Sequence, residues 1–229
     1  MSPAAGQPPA RHPAARRAAP TTSAVDLVVY RGISGMRPLW WTPNLGAGRW
    51  HGPSQPQPVQ YLSTHPMGPL AEQARHAGTH TAAELRQLRR HVFALRVRLA
   101  RVVELDFDGA AAGGLDPAAL VGPPSTYPIC TRWLGDLIGR FPEIEGLLVP
   151  CAALPGVRTL VVIGKRHPFP YLSTPRRDLD VPCAAVGLDA YAVTSLAGRI
   201  VPLESADHPA LRAWSEGRPH RFVQPRAVA

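Results

Sequence analysis

Lysine is almost missing from this chain. Lys165 is the only lysine among 25 basic residues, and only 16 acidic residues oppose them, so the formal net charge of +9 is carried by arginine. Such a surface attracts anionic ligands and partners. The arginines are scattered, however, and no RRM, zinc-finger or helix-turn-helix pattern accompanies them, which speaks against direct nucleic-acid binding. Cysteine is scarce as well. Cys130, Cys151 and Cys183 are odd in number and show no CxxC spacing, which excludes a disulfide framework and a zinc site and fits a reducing cytoplasm. No apolar run approaches the length of roughly 18 residues that a transmembrane helix needs, so no membrane association is expected. Acidic residues are absent from Met1 to Ser23, a stretch rich in Ala, Pro and Arg. Its prolines, among them Pro8, Pro9, Pro13 and Pro20, spoil an amphipathic transit helix, and it has no apolar core of a secretion signal. Residues 1–24 are expected to form a disordered tail.

The remainder is ordinary globular sequence, 45% hydrophobic and 18% charged. Leu27 to Tyr30 and Val59 to Leu62 read as short strands, separated by a long loop rich in Gly, Pro and Trp. Ser63 or Thr64 is placed to cap a helix from about Pro66 to His76. Thr81 and Glu84 have the spacing of a capping box. From His91 the pattern changes to period two: Phe93, Leu95, Val97 and Leu99 alternate with Ala94, Arg96 and Arg98, as in a half-buried strand that Val102 to Leu105 extend after a bend. A short helix is expected after Asp116-Pro117 and a longer one from Thr131 to Ile138. Gly146 to Pro150 and Thr159 to Ile163 read as strands. Val181–Val186 and Ala192–Val201 are further strand candidates, and Pro209–Trp214 a short helix. No repeat or linker divides the chain. The expected fold is α+β, with one domain over residues 25–215, mixed sheets flanked by helices, and a flexible tail over residues 216–229.

Chemistry-bearing residues concentrate between Tyr30 and Glu72. Tyr30-Arg31 ends the first strand, Gly46-Ala47-Gly48-Arg49-Trp50 forms a turn, Gln60-Tyr61-Leu62-Ser63 is the second strand, and Leu70-Ala71-Glu72 opens the helix. Arg31 and Arg49 suit bidentate contacts to phosphate oxygens. Tyr61 suits stacking on a flat ring. Glu72 suits hydrogen bonding to a sugar hydroxyl and stabilisation of the positive charge that develops when an N-glycosidic bond breaks. A dinucleotide such as NAD combines all of these features. Taken singly, each residue has a plainer role: Ser63 as a helix cap, Tyr61 and Trp50 in the core, Cys151 as a small buried hydrophobe, and Glu72 as a favourable charge near a helix start. His51, His65 and His76 lie close by but fit no metal-ligand pattern.

Together with Gly146-Leu147-Leu148-Val149-Pro150-Cys151-Ala152, this ordered set resembles the RES domain family, over about residues 26–165. The family is named for an arginine, a glutamate and a serine. The resemblance implies a fold similar to ADP-ribosyltransferase toxins, and a bacterial, cytoplasmic toxin that consumes NAD by phosphorolysis or hydrolysis at the nicotinamide–ribose bond. It also implies an Xre-like antitoxin partner, with toxin and antitoxin forming an oligomer. By position, the catalytic residues would be Arg31 and Glu72, and the NAD-binding residues Arg31, Arg49, Tyr61, Ser63 and Cys151. NAD would be the substrate and inorganic phosphate a candidate co-substrate, with no metal. The family usually has serine where Cys151 stands, and a thiol is a weaker donor than a hydroxyl. Gly32 is a second difference, since some relatives carry an aromatic residue there. Two other readings stand beside this one: an ADP-ribosyltransferase acting on a macromolecule, and an NAD-binding module weakened by Cys151.

Overall fold

The computed structural model describes residues 19–33, 46–52, 58–79, 81–88, 91–164, 172–173, 196–224 and 226–227. Two strands dominate it: β1, Ser23–Ile33, and β3, His91–Glu104, paired antiparallel along most of their length. Between them lie β2, Val59–Ser63, helix α1, Gly68–Ala77, and a one-turn helix α2, Ala82–Leu85. Helix α3, Phe107–Ala112, and helix α4, Tyr127–Arg140, precede β4, Gly146–Pro150, and β5, Arg158–Ile163. Two-residue strands β6, Leu172–Ser173, and β7, Arg226–Ala227, flank helix α5, Pro209–Ser215.

Seven strands form a sheet in the order β6-β3-β4-β5-β2-β1-β7, and the further pairing of β3 with β1 closes five of them into a ring. All pairings are antiparallel except β3 with β4. The interior of the ring is filled by one face of each strand: Val29, Leu62, Leu95, Val97, Leu99, Leu148, Leu160 and Val162. On the outer face of β3, Arg96 and Arg98 both bind the Asp26 carboxylate of β1. The expected alternation is thus present from Leu95 to Leu99, whereas Ala94 is buried with Phe93 and Leu95.

The bend expected near Ala100 is a bulge. Val25 lies opposite Leu99 but Ser23 lies opposite Val102, so β3 carries one extra residue. The displaced amides of Ala100 and Arg101 both donate to the Glu145 carboxylate at the entry to β4. Past the bulge, Val102 is still opposite Ser23, and Val102–Glu104 run parallel to Gly146–Leu148. β4 is buried on both sides, which explains its continuous apolar sequence. Leu148 faces the ring interior, whereas Leu147 and Val149 face a second core with Phe107, Leu120, Leu134 and Leu137. A third core packs α1 through Leu70, Ala71 and Ala74 against Cys151, Ala153, Leu154, Leu196 and Ile200.

Several local expectations need correction. α1 starts at Gly68, its N-cap is Met67, and no side chain caps it. Ser63 accepts from the His65 amide, and Thr64 both donates to and accepts from the Arg158 backbone, so each hydroxyl already has a partner nearer than the helix. The Thr81–Glu84 capping box is present, but the helix it opens spans only four residues. α3, capped by Asp106, is an additional helix beyond those expected from sequence, and α4 begins earlier than Thr131. Of the strand proposed over Ala192–Val201, the described residues 196–200 form a helical turn instead. Val181–Val186 lies outside the described residues. Within the stretch 216–229, expected from sequence to be a flexible tail, Phe222 packs beside Phe107 and the Val223 amide donates to the Gly156 carbonyl. No described helix is long and apolar enough to cross a membrane.

Candidate active site

Glu72 stands on the second turn of α1, which the third core presses onto the end of β4. The approach of α1 to β2 requires glycine at its start. A Cβ on Gly68 would lie 1.9 Å from Ser63 Oγ and 2.6 Å from Ser63 Cβ, so only glycine lets the helix begin against the strand. Immediately after β4, Cys151 Sγ donates to Glu72 Oε1 over 3.3 Å. Cys151 is fully buried, and burial together with the Glu72 charge raises its pKa, so the sulfur is held as the thiol and keeps the proton that it donates. The other carboxylate oxygen, Oε2, lies 4.0 Å from Nε2 of His76, one turn along α1.

The Gly46–Trp50 turn is shaped by the same logic. A Cβ on Gly48 would strike the His51 ring at 2.3 Å, so glycine allows the imidazole to fold back over the turn. Tyr61 of β2 pins that turn. Its hydroxyl accepts from the Trp50 amide at 3.0 Å and lies 2.9 Å from His51 Nδ1. The phenol end is covered and burial raises its pKa well above the ordinary value, while the residue as a whole remains 38% exposed. Burial lowers the His51 pKa, opposed by a bond to the Gly46 backbone, which favours the neutral imidazole. Trp50 belongs to the core, edge-on to Trp133.

Two buried arginines close the far side. Arg49 donates to the carbonyls of Ala119 and Gly122 and lies 4.7 Å over the Tyr127 ring. Arg75, only 1% exposed, donates to the carbonyls of Ala152, Gly122 and Leu203. Both guanidinium groups thus share the Gly122 carbonyl, and neither has a carboxylate within ion-pair distance among the described residues. Burial lowers the Arg75 pKa, and the Glu72 charge partly offsets that. Two buried cations bonded only to neutral groups leave a positive potential on the adjoining surface, which favours an anionic ligand.

That surface is a groove made of two adjoining cavities. One, of about 330 Å³, is lined by Gly48, Arg49, His51, Tyr61, Glu72 and Tyr127, among others. The second, of about 530 Å³, is lined by Tyr30, Gly32, Tyr61, Ser63, Glu72 and Gln73, among others. Tyr61, Glu72, His76 and Thr159 line both and mark the junction.

Of the residues singled out from sequence, Arg49, Tyr61, Ser63 and Glu72 come together in this groove. Arg31 does not join them. It is half-buried on β1, and strand alternation sets it on the side of Val29 and Ile33, opposite Tyr30 and Gly32, so it lines neither cavity. Cys151 lies beneath the groove and reaches it only through Glu72. Sequence reasoning missed Arg75 and Tyr127 and passed over His76 as a metal ligand. The spacing of Glu72 and His76, four apart on one helix, is a signal that could have paired them.

Residues 28–184 match the family model of the RES domain. A chain of the crystal structure of the M. tuberculosis MbcT–MbcA toxin–antitoxin complex is similar in fold, with a TM-score of 0.53 and 22% identity, over 77% of this chain and 92% of that one. No curated protein matches the sequence.

Proposed function

Since the chain belongs to the RES domain family, we propose that it is a toxin-like enzyme that binds NAD in the groove and breaks the nicotinamide–ribose bond. The observation that carries this reading is the meeting of Glu72 and the Tyr61 ring at the junction of the two cavities, beside a wall of buried arginine charge. The dinucleotide diphosphate is drawn by Arg49 and Arg75 through their field, since both guanidinium groups are held by backbone carbonyls. The Tyr61 ring offers a stacking face for one of the bases. Glu72 accepts from a ribose hydroxyl and faces the sugar carbon as positive charge builds there and neutral nicotinamide departs. Phosphate or water then attacks that carbon. The toxin–antitoxin assembly of the structural neighbour makes an Xre-like antitoxin the proposed partner and the cytoplasm, where NAD is available, the proposed location.

Purified protein incubated with NAD should release nicotinamide, and the second product names the acceptor: a phosphorylated ADP-ribose with phosphate, or ADP-ribose with water. Glu72→Gln should remove turnover while NAD still binds. Radiolabel appearing on protein or nucleic acid would turn the reading to ADP-ribosyl transfer. If NAD stays intact with wild-type protein, the reading fails as stated. One observation favours a slower enzyme in that case: the Cys151 thiol, 3.3 Å from Glu72, is a weaker brace than a hydroxyl. Binding without turnover, with turnover gained in Cys151→Ser, would establish the weakened NAD-binding form.

A further inference from the structure

The family match ends at residue 184, yet a later part of the chain touches the site from below. Beside its packing on Phe107, it reaches the site through the backbone after β4 and through α1. The Val201 amide donates to the Ala153 carbonyl at 3.0 Å. The Leu203 carbonyl accepts from Arg75 Nη2 at 3.2 Å. His208 Nε2 lies 3.2 Å from the Cys151 carbonyl, and the Val223 amide donates to the Gly156 carbonyl at 2.8 Å. Leu196 and Ile200 cover the apolar face that α1 presents with Leu70, Ala71 and Ala74.

His208 is the most telling of these. It is 1% exposed, and its Nδ1 is buried with no hydrogen-bond partner among the described residues. A carbonyl can only accept, so Nε2 carries the proton and the ring is the neutral tautomer. Burial agrees with this, pushing His208 down to about 4. A buried imidazole with one nitrogen idle is a costly way to fill space. Its single bond falls on Cys151, whose thiol donates to the Glu72 carboxylate.

We propose that residues 196–224 are a working part of the site, and that His208 is a positioning residue: it fixes the Cys151 backbone so that the Cys151 thiol aims the Glu72 carboxylate. This rests on the reading of Glu72 as the catalytic carboxylate. His208 touches no substrate. Its loss therefore lowers kcat and leaves KM for NAD in place, because the carboxylate loses its aim while the groove keeps its walls.

The test compares His208→Ala and His208→Gln in the full chain. The glutamine amide can donate the same bond to the Cys151 carbonyl. The expected result is a fall in kcat of roughly tenfold to a hundredfold in His208→Ala, with KM steady, and recovery of most of the rate in His208→Gln. A second measurement is independent of turnover. With carboxyl-labelled glutamate, the NMR chemical shift of the Glu72 carboxylate at fixed pH should move in His208→Ala and return toward wild type in His208→Gln. If wild-type protein does not consume NAD, the proposed function fails, but the carboxylate signal still judges the positioning role. An unmoved Glu72 signal in a folded His208→Ala would overturn it, as would kcat and KM changing together with no recovery by glutamine.

Discussion

Side by side, the wall of the groove made by Tyr61, Ser63, Glu72 and His76 and the wall made by Arg49, Tyr127 and Ala152 differ in how far the chain travels to build them. The first comes from β2 and α1, adjacent in sequence, and closes through contacts such as Ser63 against Gly68. The second gathers a turn, a helix start and a strand end from distant parts of the chain. Arg49 and Arg75 hold it together through the shared Gly122 carbonyl, and Arg75 adds Ala152 and Leu203. The side chain proposed to do chemistry thus stands on the local wall, while charge and alignment come from the remote one. Destabilising the remote wall should damage the whole fold; altering the local wall should damage the site first.

The sharpest break in that contrast is Arg75→Met. It leaves the Ala152 and Leu203 carbonyls without their donor and Gly122 with Arg49 alone, and should cost more than about 3 kcal/mol of stability, read as a lower denaturant midpoint. Acid should act on the remote wall through His208. Its pKa lies near 4 in the folded protein against an ordinary 6.5, because burial disfavours the charged ring. The unfolded chain therefore binds the proton first. Stability is fully present above about pH 6.5, declines as the pH falls, and this contribution is exhausted by about pH 4, at a cost of at most about 3 kcal/mol. His208→Gln should flatten that part of the profile.

On the local wall, Gly68→Ala places a methyl group 1.9 Å from Ser63 Oγ. A loss of about 1–3 kcal/mol is expected, with a larger proportional loss of turnover as α1 moves. Adding Ser63→Gly should recover part of both, and if it does not, the two walls are not separable as argued. The smallest effect belongs to the joint between them. Cys151→Ser replaces a thiol donor by a hydroxyl beside Glu72 and should raise turnover by at most about tenfold, the worth of a hydrogen bond of 0.5–1.5 kcal/mol. A rate that falls would mean that the larger sulfur fits the site better than the stronger donor does.

The same contrast explains what the sequence made legible. The local wall was readable because its side chains follow one another in a strand and a helix, and β3 because its alternation is strict from Leu95 to Leu99. The remote wall was hidden for a physical reason. Arg75 and His208 bind backbone carbonyls, and a carbonyl has the same chemistry whatever residue carries it, so nothing in the sequence marks the partner. Arg75 reads as an ordinary basic residue in the last turn of a helix. Ring closure was hidden likewise, because the pairing of β1 with β3 joins segments whose alternation is visible but whose register is set by the fold. The helix start was misread because Ser63 and Thr64 found nearer partners than the helix amides.

The lateness of residues 196–224 has a consequence in time. Synthesis runs from the first residue onward, so Arg49, Tyr61 and Glu72 leave the ribosome well before Leu196, Leu203 and His208 exist. Until then α1 lacks the apolar cover of Leu196 and Ile200, and Arg75 lacks one of its three carbonyls. A nascent chain therefore holds the signature residues without a finished site. Chains stalled short of Leu196 should leave NAD untouched, so that translation itself acts as a safety catch, and any partner able to restrain the protein has until the end of synthesis to be ready.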